Sequence, residues 1–398
     1  MEKVAFEKEE WVAKRTDKYF WRSKNIIDNE GDVTVTYAYF IRRDVIAALQ
    51  PAIDFINEMN VRAVVKRFYE EGSLVTSESK LMEVTGSFSK LVMLETLILQ
   101  KIGFACVSAY NAYKMSMALP NVSFMDMHAR HATGEEMNHL STYGASVGSR
   151  LAKLQGAKAF TGGAQDITAK YFGQMHGMGT MPHAIVGFAK LKYPEMNSLV
   201  ASVNMYFNAM PEEKNVIALV DYDGKELSDA LAVAYWMQDQ KLFKQGKALG
   251  VRLDTHGGRF AESLDYQKSV SIVCNWLHTK DEYEAVRKVM GEEAYDMDTL
   301  NIHKDKVRKI LFGTGVSVAN IINMRKKLDE HNFKHVFIVA SSGFNLFKCK
   351  IFAAANAPVD MIGTGSFLPE KLSETYTTAD IISYNELKSI KVGREWLL

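Results

Sequence analysis

Cysteine is scarce and scattered. Cys106, Cys274 and Cys349 stand far apart with no CxxC spacing, which excludes a disulfide framework and a thiolate zinc site and fits a reducing, cytoplasmic compartment. Charge of one sign is lacking too: 48 Lys and Arg against 47 Asp and Glu leave +1, so no global field recruits nucleic acid or an anionic membrane. Any anion has to be bound locally. The most apolar stretch, residues 91–110, is interrupted by Glu95 and Lys101, and the charged N-terminus MEKVAFEKEEWVAKR has no apolar core. A membrane span and a secretory leader are therefore not expected. Repeats of fixed period, low-complexity tracts and Pro- or Ser-rich linkers are absent, which points to interwoven domains.

What is present is enough to build two cores. The chain has 398 residues, 47% of them hydrophobic, beyond the size at which one core usually stops growing. The first hundred residues mix β-rich runs at 33–39 and 61–69 with a helical pattern at 45–59, as in an α+β region. A helix is expected over residues 90–119, with Pro120 just beyond it. From about Gly156 the pattern becomes short apolar runs followed by helical stretches. The runs are 216–220 before Asp221, 249–253 before Asp254, 336–339 before Ser341 and 359–362 before Gly363. The alternation predicts an α/β chain with a parallel sheet, open or closed into a barrel, and places those polar residues at strand carboxyl ends, where ligands sit.

Several residues there have the chemistry of a phosphosugar site. SSG at 341–343 and GTGS at 363–366 each follow an apolar run, so Ser342, Gly343, Gly363, Thr364 and Gly365 are candidates to cradle a phosphate on backbone N–H groups. A lone glycine-rich loop is more often a tight turn; two at neighbouring strand ends favour the phosphate. Arg252 and Asp254 are two apart and point to the same side, which suits phosphate oxygens and ribose hydroxyls, or equally a structural ion pair. Asp221 and Asp223 offer carboxylates to ribose or magnesium, or to water. His183, in GTMPHA, suits a general base or a phosphoryl acceptor, although single histidines are more often structural. In MHARHATGEE the two histidines form only a weak metal pattern, and Arg130 is the better candidate as an anion contact. Tyr19 lies in the aromatic run TDKYFWR, able to stack on a planar base or to pack in a core or interface.

Taken in order, TDKYFWRSKNI, LETLIL, HARHATGEE, GMGTMPHAIVG, ALVDYD, GVRLDT and the closing pair HVFIVASSGFN and NAPVDMIGTGS resemble the nicotinate phosphoribosyltransferase family, especially its shorter archaeal-type members, over most of the chain. GTMPH and VRLD with the closing pair are specific in combination. The resemblance implies a β/α barrel-like domain over 121–369 and an N-terminal α+β domain over 1–120 on which the tail, 370–398, packs. It implies a homodimer or larger homo-oligomer with shared active sites, Tyr19 stacking on the pyridine from the neighbouring subunit and Arg130 holding the base or a phosphate. Arg252, Asp254 and Asp221 would hold the phosphoribosyl group and its Mg2+, with Asp221 as metal ligand. Ser342, Gly343, Gly363, Thr364 and Gly365 would line the 5′-phosphate cradle, and His183 would be the histidine phosphorylated from ATP.

The implied activity is the ATP-coupled, ligase-type transfer of phosphoribose from phosphoribosyl pyrophosphate to nicotinate, giving nicotinate mononucleotide for NAD synthesis. The alternatives are nicotinamide or quinolinate as the base, or a non-catalytic nucleotide-binding relative. The chain departs from the family in FTGGAQDITAKYF at 160–172, which puts the contacts of Gly162, Gly163 and Asp166 in question. It departs again in THGGR after Asp254, where His256 is new.

Overall fold

In the computed structural model, which describes residues 2–291 and 297–398, the chain divides into two interwoven units. The first comprises Met1–Lys114, His128–Gln155 and Leu368–Leu398; the second comprises Met115–Met127 and Gly156–Phe367.

The first unit is built on an antiparallel sheet. Its strands are Thr34–Ile41 (β1), Val64–Arg67, Ser79–Ser87 and the C-terminal Thr377–Tyr384 and Leu387–Lys388, with Thr377–Tyr384 and Ser79–Ser87 flanking β1. β1 is buried on both faces, and the two-residue strand period sorts its side chains. Val35, Tyr37, Tyr39 and Ile41 enter the larger core, while Ala38 and Phe40 meet Ile382 and Leu397 on the other face. Helix Phe88–Ala118 supplies Leu91, Leu94, Leu97, Ile98 and Ile102 to the larger core. Among the described residues it is the one helix long and apolar enough to cross a membrane, and 67% of its apolar window is buried inside the protein. Helix Glu135–Leu154 lies against it through Gly144 and Gly148, where a Cβ would overlap the carbonyl oxygens of Ala105 and Ala109. Only glycine allows the two backbones to approach so closely.

The helical pattern expected over 45–59 is shorter in the structure. Val45–Ile46 is a strand paired with Leu74–Val75, and the helix runs Gln50–Glu58 with Pro51 in its first turn. Proline is pre-organised for that position and lacks the N–H that would be unsatisfied there.

The second unit is α/β, with a six-stranded sheet whose observed pairings are all parallel. Numbered onward by chain order after the five strands up to Ser87, its strands are Ser123–Asp126 (β6), Phe160–Gly163 (β7), Asn215–Leu219 (β8), Ala248–Leu253 (β9), Phe337–Ala340 (β10) and Met361–Thr364 (β11). The spatial order β7-β6-β11-β10-β9-β8 is the cyclic order of a β/α barrel, open between β7 and β8. Glu226–Asp239 and Leu346–Ala354 are the helices between β8 and β9 and between β10 and β11. The barrel-like α/β expectation thus holds. Two strands were not foreseen, β6 and β7. The last expected strand also runs two residues further, so Gly363 and Thr364 belong to β11 and only Gly365 and Ser366 follow it.

Candidate active site

The opening between β7 and β8 is spanned by residues 177–181, the GMGTM of the histidine motif. The Met178 N–H donates to the Gly163 carbonyl of β7 at 2.7 Å, and the Met181 N–H donates to the Ile217 carbonyl of β8 at 3.1 Å. Asp166 anchors the start, accepting from the Gly177 N–H at 2.7 Å, a bond that holds its carboxyl below the usual range. Pro182 then ends the extended segment, and His183 opens helix His183–Lys192. This fixes the imidazole at a helix N-terminus beside the end of β8.

His183 Nε2 lies 3.3 Å from both carboxylate oxygens of Asp221. The histidine side chain is 47% exposed and the aspartate 8%. Burial pushes the Asp221 pKa up, opposed by the hydrogen bond from His183. Asp221 is held from behind: Arg259 donates to its carbonyl at 3.0 Å and pairs with the wholly buried Glu226 at 2.6 Å. Glu226 also accepts from the Thr255 hydroxyl and the Glu262 N–H, each at 2.9 Å. The divergent THGGR segment thus carries Arg259 as a support for Asp221, while His256 is exposed and accepts from the Gly258 N–H at 3.1 Å.

Beside this pair, Arg252 and Asp254 form the ion pair their spacing suggests, Nη2 to Oδ2 at 2.9 Å. Arg252 is 6% exposed and its Nη1 donates to the Thr180 hydroxyl, tying the 177–181 segment to β9. Ser341, at the end of β10, donates to the other Asp254 oxygen at 2.8 Å. Thr180, Arg252, Asp254 and Ser341 thereby form one hydrogen-bonded chain that links the 177–181 segment to the ends of β9 and β10.

The candidate phosphate loops follow on β10 and β11. Ser342 and Gly343 both have left-handed backbones, φ 74° and 66°, and both are exposed. Lys348, in the first turn of the next helix, donates to the Ser342 carbonyl at 3.0 Å and lies 4.2 Å from the Phe344 ring centre. Burial pulls its pKa down to about 8. Thr364 is buried and donates to the Phe344 carbonyl at 3.2 Å, which joins the two loops. Gly363 is buried in the strand, where a Cβ would meet the Met127 sulfur at 2.6 Å. Its part is close packing beneath the loop.

His183, Asp221, Arg252, Asp254, Ser342, Gly343, Gly363, Thr364 and Gly365 therefore all belong to the second unit, at or just beyond strand ends. Tyr19 and Arg130 belong to the first. Tyr19 is 59% exposed with its ring 4.0 Å from that of Phe20, and Arg130, also exposed, donates to the His131 ring at 3.2 Å. Asp223 is engaged otherwise, by Lys190 at 2.5 Å and Ser198 at 2.8 Å. The sequence patterns did not single out Thr180, Glu226, Arg259 or Lys348. Thr180 lay inside a quoted motif; the others carried no spacing signal.

Among the described residues no group of three or more His, Cys, Asp or Glu side chains is arranged to hold a metal ion. A magnesium ion shared with a pyrophosphate needs only one or two protein carboxylates. Asp221 fits that role, since its Oδ1 is buried and accepts no hydrogen bond among the described residues.

No family model and no curated protein sequence matches the chain. Solved structures do match in fold. Nicotinate-nucleotide pyrophosphorylase from Pyrococcus furiosus superposes with a TM-score of 0.62 at 17% identity, over 97% of this chain and 79% of that one. Human nicotinic acid phosphoribosyltransferase gives 0.58 at 15% identity, over 95% and 76%. NadC from Streptococcus pyogenes gives 0.51 at 11%, over 90% and 87%. The chain shares the fold of these proteins.

Proposed function

We propose that this chain transfers phosphoribose from phosphoribosyl pyrophosphate to nicotinate, forming nicotinate mononucleotide and pyrophosphate in NAD synthesis, with ATP hydrolysis coupled through His183. The observation that carries this reading is the Thr180–Arg252–Asp254–Ser341 chain lying beside the His183–Asp221 pair at the strand carboxyl ends.

Displacing pyrophosphate builds positive charge at the anomeric carbon and negative charge on the leaving group, so the site needs fixed donors for the anion and carboxylates near the sugar. Arg252 is a rigid guanidinium whose Nε is buried without a partner among the described residues, leaving a donor for the departing pyrophosphate. Asp254, oriented by Arg252 and Ser341, faces the ribose hydroxyls as an acceptor. The Ser342–Gly343 segment and the Gly365–Ser366 turn after β11 hold the 5′-phosphate on backbone N–H groups, and Lys348 adds a positive charge beside the first. Magnesium, when bound, would neutralise pyrophosphate charge, and Asp221 is the carboxylate that would hold it. With Nε2 engaged by Asp221, the imidazole of His183 presents its other nitrogen as acceptor of the ATP γ-phosphoryl, at a helix N-terminus that favours the anion formed. In a homo-oligomer, Tyr19 of a neighbouring copy stacks on the pyridine and Arg130 serves its carboxylate.

The test is product formation by the purified protein with phosphoribosyl pyrophosphate, magnesium and nicotinate, nicotinamide or quinolinate, each with and without ATP. Nicotinate mononucleotide, increased by ATP, supports the proposal. Product from another base retains the transferase and replaces its substrate. Absence of product from all three overturns it in favour of a non-catalytic nucleotide binder.

A further inference from the structure

The THGGR segment after β9 carries one exposed histidine on a rigid mount. Thr255 is wholly buried, donating to Glu226 at 2.9 Å and accepting from Asn320 of helix Val318–Glu330 at 3.3 Å. Residues 313–317, just before that helix, close on the turn that follows. Thr314 donates to the Gly257 carbonyl at 2.6 Å, and the Gly315 N–H donates to the Arg259 carbonyl at 2.8 Å. Gly315 has a φ of 78°, and a Cβ there would stand 3.1 Å from the Gly257 Cα, so the two backbones meet as glycine allows. The turn closes on itself when the Arg259 N–H donates to the His256 carbonyl at 3.2 Å. The Arg259 side chain then ties it to Glu226 and to the Asp221 carbonyl.

The His256 ring at the centre of this mount is exposed, so packing does not account for it. A side chain in water whose backbone is fixed on both flanks is preorganised for a ligand. Its direction follows from the strand period. Arg252 and Asp254 share one side, Thr255 turns away into Glu226 and Asn320, and no turn begins before Gly257, so His256 returns to the side of Asp254. Its tautomer follows from its one hydrogen bond. The Gly258 N–H can only donate, so Nδ1, 3.1 Å away, is the acceptor, and the neutral ring carries its proton on Nε2. The ring therefore offers a donor, which suits an anionic oxygen. Which anion follows from the neighbours. His256 stands between Asp254 and Arg259, and Arg259 leads to Asp221 beyond β8, on the side of β9 opposite the β10 and β11 loops.

We propose that His256 donates from Nε2 to the pyrophosphate group of phosphoribosyl pyrophosphate, a contact to the leaving group that leaves the 5′-phosphate untouched. The inference rests on the phosphoribosyl-transfer reading.

The experiment measures binding apart from turnover: isothermal titration of the full chain with inorganic pyrophosphate and, separately, with ribose 5-phosphate, in magnesium near neutral pH. Wild type and His256→Ala are compared, with nitrogen-resolved NMR of the histidine rings. The ring signal missing from His256→Ala should be that of an Nε2–H tautomer and should move when pyrophosphate is added. His256→Ala should weaken pyrophosphate by about tenfold or more, as for loss of a hydrogen bond to a charged group, with ribose 5-phosphate affinity and thermal unfolding unchanged. Unaltered pyrophosphate affinity, an equal loss for both ligands, or an Nδ1–H ring overturns the proposal. So does absence of saturable pyrophosphate binding by the wild-type chain. Mononucleotide formed equally fast by wild type and His256→Ala at subsaturating phosphoribosyl pyrophosphate overturns the role of His256 and leaves the transfer reading intact. No mononucleotide from wild type, with pyrophosphate binding that depends on His256, overturns that reading and leaves the contact.

Discussion

Replacing Arg252 by Lys keeps the charge and removes the fork. The guanidinium reaches two partners from a buried position, Thr180 through Nη1 and Asp254 through Nη2 at 2.9 Å. An ammonium on a flexible stem can satisfy one of them, so either the segment across the β7–β8 opening or the Asp254 carboxylate loses its partner. Losing one hydrogen bond to a charged group costs about 1.5–3 kcal/mol. In a unit of this size each kcal/mol moves the melting temperature by about 2–4 °C, which gives a fall of about 3–12 °C for Arg252→Lys. If the lost energy appears in ligand binding, affinity for phosphoribosyl pyrophosphate drops about 10- to 150-fold. Thermal unfolding followed by near-ultraviolet circular dichroism, with and without that ligand, separates the two. Thr180→Val cuts the same link from the other side, so the double variant should fall short of the sum of the single effects. An unchanged melting temperature in Arg252→Lys, or strict additivity with Thr180→Val, would refute the bridging role.

His183→Ala should abolish stimulation by ATP while leaving ATP-independent transfer measurable; loss of both in a folded variant removes the coupling role and assigns His183 to transfer itself. Lys348 is held down to about 8 from its ordinary 10.5, so the associated stability is complete above the ordinary value and lost as pH falls through about 8. Lys348→Met should remove that slope in melting temperature while raising KM for phosphoribosyl pyrophosphate at pH 7. Glu95 has the opposite sign. Its raised value of about 8 gives a contribution complete below the ordinary 4.5 and lost as pH rises through about 8, so Glu95→Gln should gain stability relative to wild type across that window. A parallel pH profile of the two would contradict the burial of the Glu95 carboxyl. All three thiols are free and buried, and burial pushes Cys106 and Cys349 up to about 12. A thiol reagent should therefore titrate none in the native protein and three after denaturation.

The strands expected before Asp221, Asp254, Ser341 and Gly363, the last of which runs on through Thr364, were legible because buried parallel strands are short runs of Val, Ile, Leu and Ala closed by a polar or small residue. β6 and β7 were not, for the converse reason: SFMD and FTGG carry no comparable run. The Arg252–Asp254 pair follows from strand period alone, since residues two apart share a face. Contacts made across long sequence distance left no such mark. Arg259 supports Asp221 from 38 positions away, and a pocket in the first unit joins Tyr37 and Glu95 to a strand near the C-terminus. Glu95 appeared in the sequence as an interruption of an apolar stretch and inside the LETLIL motif, with no role attached to it.

The opening between β7 and β8 gives the histidine a particular kind of mount. Elsewhere around the sheet neighbouring strands are joined by ladders, but here the segment leading to His183 is held by isolated backbone bonds at Met178 and Met181 and by side chains of Asp166 and Arg252. The amides of Met178 and Met181 should therefore exchange with solvent at rates set by local release rather than by global unfolding. Since Arg252 is shared between that segment and Asp254, a ligand that recruits the guanidinium alters the tether of the histidine. Engagement of Arg252 by a ligand is then readable as a change in protection at the amides of Met178 and Met181.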